Sequence, residues 1–130
     1  MKAIVREWLR FAKNDLTAAD LLLAESHLTA VVSFHAQQCV EKCLKALIDS
    51  RGFNPPKSHD LIRLYGIVEP WIDFDEDMLA RLNQIYIDSR YPPGQEWLPD
   101  GEPTSEETKN LLEFAHSVYH MLLTKNEPHY

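Results

Sequence analysis

The chain has 130 residues, 45% of them hydrophobic and 25% charged, and a formal net charge of −7. That size and mix suit one folded domain, residues 1–130, with enough apolar side chains to bury its own core. They exclude wholesale binding to a phosphate backbone, which needs a basic surface, while leaving room for a small, locally basic pocket. No run approaches the roughly 18 apolar residues of a membrane span. The N-terminus moves straight into an amphipathic pattern without a signal-peptide core, so a cytoplasmic protein is expected.

Helical periodicity runs through the whole chain, and no alternating strand pattern competes with it. The first helix is expected from about Ile4 to Glu25, with Trp8, Phe11, Ala12, Leu16, Ala19, Leu22 and Leu23 facing inward. Asp15 falls at the edge of that stripe, either solvated or paired with a lysine of the second helix. The second helix is expected from about Thr29 to Ser50. Gly52 supplies a left-handed cap at its end, and Asn54-Pro55-Pro56 forbids continuation.

This second helix carries two different faces. Val32, Ala36, Cys39, Val40, Cys43 and Leu47 form an apolar band. His35, Gln38, Lys42, Lys45 and Asp49 recur along a second, polar line at steps of three and four. Cys39 and Cys43 lie one turn apart on a rigid backbone, a poor arrangement for a disulfide. With His35 they give His-x3-Cys-x3-Cys, but a straight helix rotates about 40° per four residues and cannot close a tetrahedron alone. Buried, small apolar cysteines are the reading adopted, and nothing in the sequence asks for a metal or another cofactor.

Ser58 is placed to cap a third, short helix from near His59 to Val68, with Asp60 in its first turn and Leu61, Leu64, Tyr65 and Val68 on its core face. Pro70 ends it. Asp73 or Asp75 opens a fourth helix, through Met78, Leu82, Ile85 and Tyr86 to about Ser89. A long loop from Tyr91 to Thr104 follows, punctuated by Pro92-Pro93-Gly94, Pro99, Gly101 and Pro103; such loops are usually functional or disordered. Thr104-Ser105-Glu106-Glu107 reads as a capping box for the last helix, which buries Leu111, Leu112, Ala115, Val118, Tyr119 and Leu122. The tail 126–130 is expected to fray. The acidic runs from Asp73 to Asp77 and at Glu106-Glu107 suit solvated helix starts. The expected architecture is all-α, an antiparallel up-and-down bundle of about five helices.

Four islands stand in order: Asp15-Leu16, Phe34-His35-Ala36-Gln37-Gln38-Cys39-Val40-Glu41-Lys42-Cys43-Leu44-Lys45, Lys57-Ser58-His59-Asp60-Leu61, and Arg90-Tyr91-Pro92. In that order and spacing the chain resembles the HEPN family, the small helical proteins named for higher eukaryotes and prokaryotes nucleotide-binding. The resemblance covers essentially the whole chain. It implies a five-helix bundle that dimerises and kinship to the C-terminal helical domain of kanamycin nucleotidyltransferase. It also implies a partner, since family members are often encoded beside a minimal nucleotidyltransferase as a toxin–antitoxin or nucleotide-handling pair.

Many HEPN proteins are metal-independent ribonucleases with an Arg-x4-6-His motif. Here no histidine falls in that window after Arg6, Arg10, Arg63, Arg81 or Arg90, and seven residues separate Arg51 from His59. The ribonuclease signature is therefore absent, leaving only a surrogate pairing of Arg90 with His59 as a route to 2′-hydroxyl attack. The polar row suits binding of a nucleotide or another phosphate-containing ligand. His35, Gln38, Lys42, Lys45, Lys57, His59 and Arg90 supply donors, Tyr91 or Tyr86 a stacking surface, and the third helix free amides. Each has an internal alternative. His35 can be a satisfied core histidine, Gln38 and Lys42 can bond Asp15 or Asp49, His59 can cap its own turn, Arg90 can pair with Glu41, and Tyr91-Pro92 can merely shape the loop. Three functions compete: a nucleotide-binding module beside a nucleotidyltransferase, a ribonuclease toxin with a non-standard site, and a structural dimerisation module with a buried polar network.

Overall fold

The structure, a computed structural model, describes residues 1–88 and 101–126. Among the described residues five α-helices follow one another: α1 (Ala3–Leu22), α2 (Thr29–Ser50), α3 (Leu61–Val68), α4 (Glu76–Asp88) and α5 (Ser105–Lys125), with a 3-10 turn at Ser26–Leu28 leading into α2. The all-helical expectation holds, and α2 falls on its expected bounds. Arg90, Tyr91 and most of the long loop lie outside the described residues, as does the tail beyond Asn126.

α2 is the centre of the bundle and packs against each of the other four helices. Trp8 meets Asp49 and Asp15 meets Lys42, so α1 and α2 run antiparallel. Ser33 meets Thr108 and Cys39 approaches the Ala115 carbonyl, so α2 and α5 run side by side in the same direction. The intervening α3 and α4 absorb the reversal. Because partners surround it, α2 is buried nearly all round: its apolar band is joined in the interior by Ser33, Gln37, Glu41 and Lys45. A helix in that position must satisfy its polar groups internally. Among the described residues no buried side-chain nitrogen or oxygen lacks a partner.

The inner stripe of α1 runs through Val5, Leu9, Ala12, Leu16 and Ala19, with buried Asp15 beside it. This shifts the expected face. Phe11 is 44% exposed and Leu23 38%, because the residue before Ala12 is turned about 100° away from the stripe. α1 also stops at Leu22, three residues before the expected end, where the Ser26–Leu28 turn redirects the chain.

The caps follow the chemistry of the side chains available. Gly52 has φ 88°, and the Phe53 amide donates to the Ile48 carbonyl at 3.2 Å, the long bond of a Schellman ending. α3 is capped by Asp60, whose carboxylate accepts from the Ile62 and Arg63 amides at 3.0 and 3.3 Å. Ser58 instead accepts from the Asp60 amide, so His59 precedes the helix rather than starting it. An anionic carboxylate is favoured over a hydroxyl at the positive end of a helix. Asp75 performs the same task for α4, accepting from Asp77 and Met78. Thr104 accepts from the Glu107 amide at 3.0 Å, but the Glu107 carboxylate turns to a bidentate pair with Arg81 at 2.8 and 2.9 Å. Only half of the capping box is made, because the guanidinium fork is the stronger donor.

Cys39 and Cys43 are both fully buried and free. The neighbouring Cys43 thiol, and then burial, push the Cys39 thiol well above its usual range. Thiolate is the reactive form. Native protein is therefore expected to give no iodoacetamide adduct at neutral pH, and two adducts after unfolding. Intact-mass spectrometry reads both; rapid double alkylation of the native protein would show that this part of the core opens readily.

Candidate functional site: a histidine anchored on a buried glutamate

The polar row of α2 resolves into two separate nodes. In the first, Asp15 of α1 accepts from Lys42 Nζ with one carboxylate oxygen, while the other lies 2.9 Å from His35 Nδ1. In the second, Glu41 is the centre. Its Oε2 accepts from Lys45 Nζ at 3.0 Å, and its Oε1 lies 2.9 Å from His59 Nδ1. A carboxylate accepts only, so the His59 tautomer facing Glu41 carries the proton on Nδ1. Gln37, fully buried, ties the second node to the backbone by donating to the His59 carbonyl at 3.1 Å. Gln38 completes the chain by donating to Gln37 Oε1 at 2.6 Å.

Each node therefore holds one carboxylate and one lysine. Lys42 and Lys45 are already neutralised, and the Lys45 side chain is only 8% exposed. Of the expected anion-facing cations on α2, neither has its charge to spare. His59 is different: its side chain is 55% exposed, although its Glu41 partner is only 5% exposed. Its ring lies 5.4 Å from that of Tyr86, which in turn stacks on Phe34 at 6.0 Å and 14°. His59 Nε2 has no hydrogen-bond partner among the described residues.

The segment carrying His59 is held just after the histidine. Asn83 of α4 accepts from the Leu61 amide and donates to Asp60, both at 2.9 Å. The neighbouring Lys57 is exposed. The result is a fixed imidazole with one nitrogen outward, an aromatic surface beside it and a lysine two residues before it. Such a group can donate to an oxyanion when protonated or accept a proton when neutral.

Gln38, Lys45 and His59 thus share the Glu41 node, while His35 and Lys42 belong to the Asp15 node. Lys57 adjoins the Glu41 node through the backbone; Arg90 and Tyr91 lie outside the described residues. The pairing of Asp15 with a second-helix lysine is realised. Glu41 itself was weighed only as a partner for Arg90, and its central role was missed. Its spacing of four from both Gln37 and Lys45 was the available signal. Asn83 had no comparable signal, since it acts through neighbours 22 and 23 positions away in sequence. No group of three or more metal-ligating side chains with suitable geometry occurs among the described residues.

Comparison with known proteins bears on the family and the fold. The chain is 26% identical over 127 residues to "Putative toxin MJ1304" of Methanocaldococcus jannaschii, a match covering 88% of this chain and 83% of that protein. The crystal structure of TT1696 from Thermus thermophilus is similar with a TM-score of 0.75 and 28% identity, over 93% of this chain and 97% of that one. ST0689, described as an archaeal HEPN homologue, shares the fold with a TM-score of 0.71 and 22% identity, over 98% of this chain and 100% of that one. The HEPN domain model matches residues 5–126, essentially the whole bundle from Val5 in α1 to the end of α5, and the chain belongs to the HEPN domain family.

Proposed function

We propose that this chain is a toxin-like HEPN module that binds a nucleotide, or another phosphate-containing ligand, at the surface around His59. The observation that carries this reading is the anchored imidazole: half-exposed His59, its Nδ1 fixed by buried Glu41 and its ring beside Tyr86. Protonated Nε2 and Lys57 donate to the phosphate, and Tyr86 offers a face to the base. Arg90 and Tyr91 join them as further ligand-binding residues on the strength of the sequence pattern. Lys45 and Gln38 support this site through Glu41 and Gln37, whereas His35 and Lys42 enter the proposal only as neighbouring residues of the same helix, paired with Asp15. The toxin name of the archaeal relative supports a toxin–antitoxin role. The proposed partner is a minimal nucleotidyltransferase, with the HEPN chain acting as a homodimer.

A ribonuclease is the second reading, and the same dyad favours it. Glu41 holds the imidazole as a carboxylate holds a general base, and neutral Nε2 can take the proton of a 2′-hydroxyl. Titration calorimetry with nucleoside mono- and triphosphates, run beside an RNA cleavage assay, separates the two. Expected are saturable binding and about tenfold weaker affinity in His59→Ala. No saturable heat at millimolar ligand removes the binding reading. Cleavage by the wild type that disappears in His59→Ala establishes the ribonuclease instead.

A further inference from the structure

A second cluster lies where α2 and α5 end, about 15 Å further along α2 from Glu41 at a rise of about 1.5 Å per residue. A polar cleft of about 290 Å³ is lined there by Leu47, Ser50, Arg51, Lys125 and Asn126. Beside it, Phe53 is 58% exposed and stacks on Trp71 with ring centroids 6.0 Å apart at 17°. The Arg51 guanidinium lies 5.1 Å from the Trp71 ring centre, and Lys125 donates to the Trp71 carbonyl at 3.3 Å. We propose that this cleft is a separate nucleotide-binding subsite, with Arg51 and Lys125 holding one phosphate and the Phe53–Trp71 stack receiving the base.

Three observations bear on it. First, neither Arg51 nor Lys125 has a carboxylate partner among the described residues, and the two lie together in one cleft. Among the described residues, Asp49 accepts from the Trp8 indole and Asp73 from the Tyr65 hydroxyl, neutral donors that leave both carboxylates charged. Second, the charges do not merely cancel the helix ends. Each helix C-terminus contributes about −0.5 charge, so two ends offset roughly one of the two cations and leave about +1. A surplus that small does not suit a polyanionic backbone. Third, Phe53 occupies the position after the capping Gly52, where a Schellman ending normally packs its apolar side chain back on the helix. Here the ring is instead presented to solvent upon Trp71. An exposed aromatic stack beside cations that lack a carboxylate partner is the chemistry of single-nucleotide and strand-end recognition.

This subsite does not depend on His59. Nitrogen-15 NMR of the full chain locates binding directly, through the Trp71 indole Nε1–H and the Gly52 amide. Titration with AMP is expected to shift both signals saturably, whereas inorganic phosphate moves Gly52 and leaves the indole in place. Arg51→Ala and Lys125→Ala should each weaken AMP about tenfold at these signals, and His59→Ala should leave them unchanged. Tighter binding of a 5′-phosphorylated dinucleotide than of AMP identifies a strand end as the source of the phosphate; equal or weaker binding identifies the free nucleotide. Shifts confined to the His59 and Tyr86 region, no shifts at all, or undiminished Trp71 shifts in the Arg51→Ala, Lys125→Ala double variant overturn the subsite.

Discussion

Replacing Glu41 with Ala is expected to lower the unfolding free energy by about 3–5 kcal/mol. The reason is what remains behind. Lys45 is buried at 6% exposure, its ammonium bonded to Glu41 and lying 5.6 Å from the Trp8 ring centre. Without the carboxylate, the cation has an aromatic face but no counter-charge. Gln37 loses one of its contacts and His59 loses the hydrogen bond that anchors its ring. For a domain of this size the loss corresponds to a fall in Tm of roughly 10–20 °C. The double variant Glu41→Leu, Lys45→Met should recover most of it, since an apolar pair of similar volume needs no desolvation of charge. Urea unfolding of the three proteins decides the matter. A loss below about 1 kcal/mol in Glu41→Ala would show that Lys45 reaches water by extending its stem.

The Asp15 node is expected to be the second most sensitive point, at about 1.5–3 kcal/mol for Asp15→Ala. Asp15 is 7% exposed and serves two partners, but both are closer to solvent than Lys45: the Lys42 side chain is 22% exposed and that of His35 28%. Once the carboxylate is gone, each can turn outward and hydrate, which caps the damage. Lys42→Met should cost less than Asp15→Ala, because it leaves His35 on Asp15. A double-mutant cycle between positions 15 and 42 should return a coupling of about 0.5–3 kcal/mol, whereas additive losses would mean that the close approach of Lys42 to Asp15 contributes nothing in solution.

The two nodes explain why an extended polar row on α2 misleads when it is read as a surface. Periodicity identifies the face on which a residue lies, but not what the other helices bring to that face. His35, Gln38, Lys42 and Lys45 form one line on a helical wheel. In the bundle, α1 contributes Asp15 to one part of it and the α2–α3 connection contributes His59 to another, dividing the line into two self-neutralising units. The same limit produced the error at α1. Phe11 and Leu23 are apolar enough for the core, yet the buried stripe is set by where α2 and α5 lie, and it runs through Val5 and Leu9 instead.

Local chemistry was readable wherever it depended on neighbours in the chain. The bounds of α2, the left-handed Gly52, the Thr104 cap and the buried faces of α3 and α5 follow from residue preferences a few positions apart, while the choice of Asp75 over Asp73 at α4 was left open. The switch from Ser58 to Asp60 at the start of α3 shows the edge of that legibility, since both caps were chemically available and the winning carboxylate also receives Asn83 from α4. An all-helical HEPN domain built around α2 was thus legible before any contact was known, because periodicity, caps and four ordered motifs are all written along the chain. That Lys42 is spent on Asp15 of α1, and that His59 meets Glu41 and points its other nitrogen outward, emerged only when the helices were packed together. Those outcomes depend on distances between helices, which no spacing within one helix contains.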